Sequence, residues 1–522
     1  MLNCLQSHGC RNISSMFGRA CDASREKAAR GCFEVRMRGK AGIGENAGES
    51  RMTTCGCSER PSSAMGSAID KKGTIMSSES EVMSFDAESM HVDESERKGL
   101  WPLTVIWIGN AFNVSTLMTG ATLGAALTLM DSFLAAVIGF GIISAYMAFI
   151  AMESADVGLP TSAMSTAALG KTGGRYLISL VVGIALIGWF GVQAAVCGSS
   201  FSVAMLELTG MDIPVWIPSV VLGALMLVSA VYGFDGVKWV NYIALPLLFV
   251  ICMYGLIVSI AGTGMDSVFN YVPVEGMGLV AGINISVGLF ALGGATIGDF
   301  TRYAKSRRDS VISSVGGVWP ANVVVLMMGA ILAIVVPESG GDITLIMSGL
   351  GLAVIGMIAL IASTWTVNVS NAYSAGLAFA VMVNKGERGY KISTIISGIV
   401  GIVLAAAGIM DYFTFFLTLL SAMIPALSGS MIADYWFIRK ARPENFKPLD
   451  GVSVPGVVSF VVGALVAMIT GGTFVGTPLA FLDFPFFLGP VNGIVVSMVL
   501  YVLIYKAMKL PAFDGKIMVV RK

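Results

Sequence analysis

Charge and histidine are what this chain has least of. Of its 522 residues, 13% are Asp, Glu, Lys or Arg, and both histidines, His8 and His91, precede residue 99. The long apolar remainder therefore has no imidazole to serve as a base beside a nucleophile, which argues against a hydrolase. Cysteine is scarce in the same region: Cys4, Cys10, Cys21, Cys32, Cys55 and Cys57 lie near the start, leaving Cys197 and Cys252, so no disulfide framework supports the body. The 33 basic and 33 acidic residues cancel, but this balance averages a polar head with an almost charge-free body. It points to no nucleic acid and to no obligate protein partner. What the chain does have is 55% hydrophobic residues, 62 glycines and a mean hydropathy of +0.79. That is too much apolar surface for a water-soluble core, and the implied partner is a lipid bilayer.

Residues 1–98 are rich in Ser, Gly, Arg and Glu and contain no apolar run long enough for a span or a signal-peptide core. They read as a disordered cytoplasmic extension. Cys55-Gly56-Cys57 has no second pair at metal-ligand spacing and is a weak metal signal. The basic start MLNCLQSHGCRNISSMFGRA has the composition of a targeting peptide, but acidic residues from Asp22 onward oppose extending that reading. A start assigned too far upstream, with Met76 or Met83 the true beginning, accounts for it better.

With about twenty apolar residues needed per crossing, the remainder predicts an all-α polytopic membrane protein. Twelve spans fall near 99–129, 131–153, 174–205, 213–233, 236–262, 279–303, 310–336, 347–382, 392–409, 411–437, 453–472 and 484–507. They form a transporter domain at 99–510 followed by a cytoplasmic tail at 511–522. Basic residues test the count, because Lys and Arg concentrate in cytoplasmic loops. Arg97 and Lys98, Lys171 and Arg175, Lys238, the Arg302 to Arg308 cluster, Lys385 to Lys391, Arg439 to Lys447 and the tail from Lys506 all fall on one side. The opposite loops carry Asp212, Asp266, Glu275, Glu338, Asp342 and Asp483. Both termini are expected in the cytoplasm, with the protein in the plasma membrane.

Two spans have unusual centres. The first reads WIGNAFNVSTLMTGATLG, with Gly109, Asn110, Asn113, Ser115 and Thr116 where an intact helix would prefer Leu or Val. The sixth reads ISVGLFALGGATIGDF, with Gly288, Gly293, Gly294 and Gly298 at the same depth. Small residues also let helices pack closely. Two such clusters five spans apart predict broken helices 1 and 6 in a 5+5 inverted repeat, whose free backbone groups face a central site. Polar residues gathered at one depth argue against a channel, which needs a continuous polar lining.

In the third span, LIGWFGVQAAVCG places Trp189 far from the interfacial belts and Gln193 one turn on, so a planar ring and an amide share a face. Alone the pair reads as packing plus an interhelical hydrogen bond. Opposite two broken helices it reads as a binding site. Phe290, expected in the unwound part of span 6, supplies a second aromatic wall, and Asn368 and Asn371 in span 8 supply further amides. Aromatic walls with amide edges suit a flat heterocycle, and the absence of charge at this depth disfavours a charged ligand.

GWFGV at 188–192, TGATLG at 119–124, GDFTRY at 298–303, WTVNVSNAYSAGLAFA at 365–380 and SAMIPALSGSMIADY at 421–435 together resemble the nucleobase:cation symporters, in their cytosine permease branch. The resemblance runs in order through residues 97–440. It implies twelve helices in the leucine-transporter architecture, a purine, pyrimidine or hydantoin-like substrate, and cation-driven alternating access without a cofactor. By the same resemblance Trp189 is the stacking indole and Phe290 the second aromatic. Cytosine permeases carry a Gln one turn before that Trp, where this chain has Leu186, whereas hydantoin-type relatives carry it one turn after, at Gln193 here. The implied sodium site uses carbonyls near Gly109 and Phe112 with side-chain oxygens of Ser363 and Thr366. The remaining position is Val367, which has no oxygen for a hard cation, so a proton stays open as the coupling ion. Hydroxyls such as Ser363 and Thr366 also back-bond to their own helix. The rival substrates are other heterocycles (hydantoin, allantoin, a thiamine precursor, pyridoxine) or an amino acid.

Overall fold

Wherever the sequence stays apolar for about twenty residues the chain is helical, because backbone polar groups find no other partner in hydrocarbon. A computed structural model describes residues 91–519 apart from 233–236, 384–385 and 515–516. The expectations placed on residues 1–90, including Cys55, Cys57, Met76 and Met83, lie outside the described residues.

The helices are α1 Leu100–Ala111, α2 Val114–Ala126, α3 Leu129–Val157, α4 Thr161–Leu169 and α5 Ser179–Thr209. They continue as α6 Trp216–Tyr232, α7 Val237–Thr263, α8 Leu279–Ala295, α9 Arg307–Val335 and α10 Ile343–Gly349. The last five are α11 Ala353–Val383, α12 Gly386–Ala406, α13 Phe413–Ile432, α14 Val454–Thr470 and α15 Gly489–Ala507. Among the described residues, 8 helices are long and apolar enough to cross a membrane, and α1, α6, the second part of α7 and α14 are shorter apolar helices. Exposed apolar residues recur at helical spacing, as in Val221, Leu225 and Val228 of α6 and Val454, Val458, Val461 and Leu465 of α14. Such stripes are the faces a bilayer covers.

The helices pack in groups. In the first, α9 lies against α1, α2 and α3, and α3 against α8. In the second, α5, α6, α11 and α12 pack on one another, with α7 on α11. The third joins α13, α14 and α15, and α13 also runs along α8. Helix ends carrying basic residues converge: Lys98 N–H donates to Tyr303 O at 2.6 Å, Arg97 to Ala155 O at 2.9 Å, and Arg175 to Val381 O at 2.8 Å, next to Met382 O at 3.0 Å.

The structure adds to the expectations from the sequence and changes one of them. Residues 91–98 are tied to the end of α3: Val92 is buried, and His91 Nδ1 lies 3.0 Å from Val157 O. In the tail, Ala512–Asp514 pairs antiparallel with Ile517–Val519 and Phe513 is buried beside Arg439. The helices α4 and α10 are additional; each is too short to register as a span, and α4 is buried along its length. Finally, span 6 does not unwind around Phe290. The helix α8 continues through Gly288, Phe290, Gly293 and Gly294, and the break falls at Thr296 and Ile297, before a single turn at Gly298–Thr301.

The physical reason for that last correction is packing. A Cβ on Gly288 would lie 1.9 Å from Leu417 O of α13, and one on Gly294 would lie 2.6 Å from the Tyr146 hydroxyl. These glycines bring helices into contact. In α2, Gly120 and Gly124 do the same against Leu326 and Ala330 of α9.

Candidate functional site

The break in the first span is built by one side chain. In an uninterrupted helix Asn113 N–H would donate to Gly109 O, and Thr116 N–H to Phe112 O. Instead Asn113 N–H turns to Ala111 O at 3.0 Å, and Thr116 N–H donates to Asn113 Oδ1 at 2.9 Å. Asn113 Nδ2 donates to Asn110 O at 2.8 Å. Asn113 thus caps α2 and closes α1 together. The carbonyls released from their helical partners are those of Gly109 and Phe112. Nothing lies within 4 Å of the position a Gly109 Cβ would take.

The first turn of α2 faces α5. Gln193, 2% exposed, donates from Nε2 to Ser115 Oγ at 2.7 Å. One turn back, the Trp189 ring meets Phe416 edge-on at 5.3 Å and Phe413 at 6.3 Å, both from α13. Gly188 makes this possible, because a Cβ there would sit 2.3 Å from the Phe416 ring. The aromatic surroundings of Trp189 therefore come from the tenth span. Sequence reasoning missed Phe413 and Phe416, although their i, i+3 spacing in FTFF was the available signal. It also missed Ser115 as the partner of Gln193.

Phe290 is half-buried on α8, edge-on to Trp107 at 6.3 Å and tilted against Phe140 at 6.1 Å. Its ring lies over Gly293, where a Cβ would come within 2.7 Å of it. The ring contacts of Phe290 and those of Trp189 involve different residues, so the two do not stack on each other. Asn368 is not placed at an open edge: its Nδ2 donates to Phe190 O at 3.2 Å and lies 3.3 Å from Met226 Sδ, on the side of α5 that packs against α6. Its Oδ1 is buried without a hydrogen-bond partner. Asn371, one turn on, is half-buried.

On α11, Ser363 is 1% exposed and its hydroxyl has no hydrogen-bond partner. Thr366 Oγ1 donates to Ser363 O at 3.1 Å, the back-bonding a hydroxyl adopts in a helix. Val367 is half-buried and presents no oxygen. As α11 packs on both α5 and α2, Ser363 and the freed carbonyls belong to neighbouring elements.

The model of the family described as permease for cytosine/purines, uracil, thiamine, allantoin matches residues 91–494. The cytosine permease of Escherichia coli strain K12 is 30% identical over 377 residues, 72% of this chain and 87% of the relative. The fold is similar to that of Mhp1 in its inward-facing conformation, with a TM-score of 0.69, 20% identity, and coverage of 84% of this chain and 97% of Mhp1. It is also similar to Mhp1, a nucleobase-cation-symport-1 family transporter, in a closed conformation with bromovinylhydantoin bound (TM-score 0.64, 20% identity, covering 83% and 98%).

Proposed function

The chain belongs to the family of permeases for cytosine/purines, uracil, thiamine and allantoin, and from that premise we propose that it imports a nucleobase or related planar heterocycle, cytosine or a purine foremost, by symport with a cation. It is a multi-pass membrane transporter and not an enzyme. The observation that carries the substrate class is the face of α5 on which the Trp189 indole and the Gln193 amide stand one turn apart, with the amide nitrogen oriented by Ser115. In this reading the heterocycle stacks on Trp189 and meets Gln193 along its polar edge, and Phe290 and Asn371 approach from α8 and α11. Asn368 keeps α5 and α11 in register.

The architecture we propose is twelve spans with a 5+5 repeat, α1 and α2 together forming span 1. The packing supports it, because the pattern of contacts is nearly preserved when each span is exchanged with the one five places on. The pair α2 with α9 maps to α8 with α3, α5 with α6 to α11 with α12, α5 with α12 to α11 with α6, and α7 with α9 to α13 with α3. Convergence of the basic helix ends supports cytoplasmic termini, and the membrane we propose is the plasma membrane. For the coupling ion, the carbonyls of Gly109 and Phe112 with the hydroxyls of Ser363 and Thr366 form the proposed sodium site, with the fifth ligand that Val367 lacks supplied by water.

A hydantoin is the second reading, favoured by Gln193 following Trp189 and by bromovinylhydantoin being bound in Mhp1. Uptake of labelled cytosine, adenine, uracil, hydantoin and allantoin by cells expressing the full chain decides, run in sodium and in choline buffers and again with the proton gradient collapsed. Saturable uptake of none of these overturns the substrate class. Full activity without sodium removes the sodium site.

A further inference from the structure

Charge is nearly absent from the helices yet collects at one corner, where the ends of α3, α9, α13 and α15 meet. Arg307 donates from Nε to both oxygens of Asp156, at 2.8 and 2.9 Å, and from Nη2 at 2.6 Å. The Tyr435 hydroxyl donates to the same carboxylate. Arg439, 1% exposed, pairs with Asp434, which also accepts from the Tyr501 hydroxyl at 2.8 Å. The other nitrogens of Arg439 donate to Asn445 O and Ala167 O. Arg307 and Arg439 thus each pair with a carboxylate of their own.

Glu153, one turn before Asp156, is a further acid beside these two pairs. It is 2% exposed, and its Oε2 is buried with no hydrogen-bond partner. The charges acting on it are those of Asp434, Arg439 and Asp156. Around the same corner, Asp299 accepts from Thr161 N–H at 3.0 Å, Arg302 lies over the Tyr303 ring at 5.0 Å, Arg97 donates to Ala155 O, and His91 contacts Val157 O. Tyr505 donates to Pro511 O. A carboxylate oxygen buried without a donor disfavours the ionised form, and the cation acting on Glu153, Arg439, is already paired with Asp434 while Asp434 and Asp156 add negative charge beside it. As the neutral acid, Glu153 leaves both ion pairs balanced.

We propose that Glu153 is a proton-binding site: its carboxyl carries a proton while these helix ends are packed and gives it to water, as hydronium, when they part. The corner is knit from parts that a moving transporter must separate. Ser154 Oγ donates to Gly298 O at 2.8 Å, Arg307 Nη2 donates to Ala441 O at 2.8 Å, and Arg439 reaches α4. Hydration of the opened corner stabilises the carboxylate, so one proton leaves at this end for each opening. The link to transport rests on the function proposed above; the proton on Glu153 does not.

The test therefore has two arms. Infrared spectra of the purified full-length protein at neutral pH are compared between the wild type and Glu153→Gln. The carbonyl stretch of a protonated carboxylic acid is expected in the wild type and lost in the variant, and no difference overturns the proposal. If the Gln variant does not accumulate, Glu153→Asp carries this arm, and an unmoved band overturns it equally. In membrane vesicles, Glu153→Gln is expected to keep exchange of labelled for unlabelled cytosine and to lose the dependence of uptake on pH at the cytoplasmic face, while Glu153→Asp keeps that dependence with a shifted midpoint. A wild-type pH profile in the Gln variant overturns the link to transport. Absence of heterocycle uptake by the wild type would refute the transport reading, and the infrared arm would still decide Glu153.

Discussion

The first and the sixth spans are both rich in glycine and small polar residues, and the structure treats them in opposite ways. In the first, Asn113 turns the backbone away from helical pairing and frees two carbonyls, while the space beside Gly109 stays open. In the sixth, Gly288 and Gly294 bring α8 against α13 and α3, and the helix stays intact through Phe290 until Thr296. Glycine in a membrane helix is thus ambiguous by itself. What separates the cases is a side chain able to replace the lost backbone partners: Asn113 does so in the first span, whereas Gly288 and Gly294 lie against neighbouring helices and α8 runs on through them. Their neighbours differ as well: α13 runs along α8, whereas Phe112, at the break of the first span, meets Phe249 of α7 edge-on at 5.4 Å.

The largest effect should come from Gly288→Ala. Its Cβ would fall 1.9 Å from a backbone oxygen of α13, which cannot move aside as a side chain tip can. Overpacking of this kind costs about 1–3 kcal/mol or more, so the detergent-solubilised protein should melt well below wild type, whereas Gly109→Ala should not. Equal melting of the two variants would mean that the close approach of α8 and α13 is not required.

Trp189→Ala should come next. One lost stacking surface is worth about 1–3 kcal/mol, roughly a tenfold to hundredfold rise in the substrate concentration giving half-maximal uptake, together with a lower melting temperature because the buried ring packs on Phe413 and Phe416. Unaltered uptake would leave Trp189 as packing for Phe413 and Phe416.

Asn113→Ala sharpens the contrast between the spans. Loss of an N-cap costs about 1 kcal/mol, and because the same side chain holds the break open, the sodium concentration for half-maximal uptake should rise. A drop in melting temperature with unchanged sodium dependence would separate the cap from the ion.

The smallest effect is expected outside the membrane. Lys171 pairs with Asp450 at 2.8 Å, and this hydrogen bond holds the Asp450 carboxyl below the usual carboxylate range. A carboxylate depressed in the folded state contributes stability above its unfolded value and loses it as pH falls, here below about pH 4. Both side chains are exposed, so Asp450→Asn should leave melting at neutral pH unchanged. A clear drop would show that the backbone hydrogen bonds of Lys171 to Leu449 O and of Thr172 to Gly451 O depend on the ion pair.

Much was legible in the chain itself. Apolar runs of sufficient length had to become helices, since hydrocarbon offers the backbone no alternative, and the placement of Lys and Arg grouped the ends that the structure gathers. Asn113 and Gln193 were legible as polar residues where apolar ones belong. The sequence by itself thus determined a multi-pass helical membrane protein and the face that carries Trp189 and Gln193, because both follow from hydropathy and from the helical period; transport followed from the resemblance to the nucleobase:cation symporters. Only the tertiary structure decided which glycines pack and which flank a break, that Asn368 donates to Phe190 O, that Phe413 and Phe416 surround Trp189, and that Glu153 Oε2 is buried without a hydrogen-bond partner. Each of these depends on which residue of another helix comes within a few ångströms, and nothing local in the chain specifies that distance.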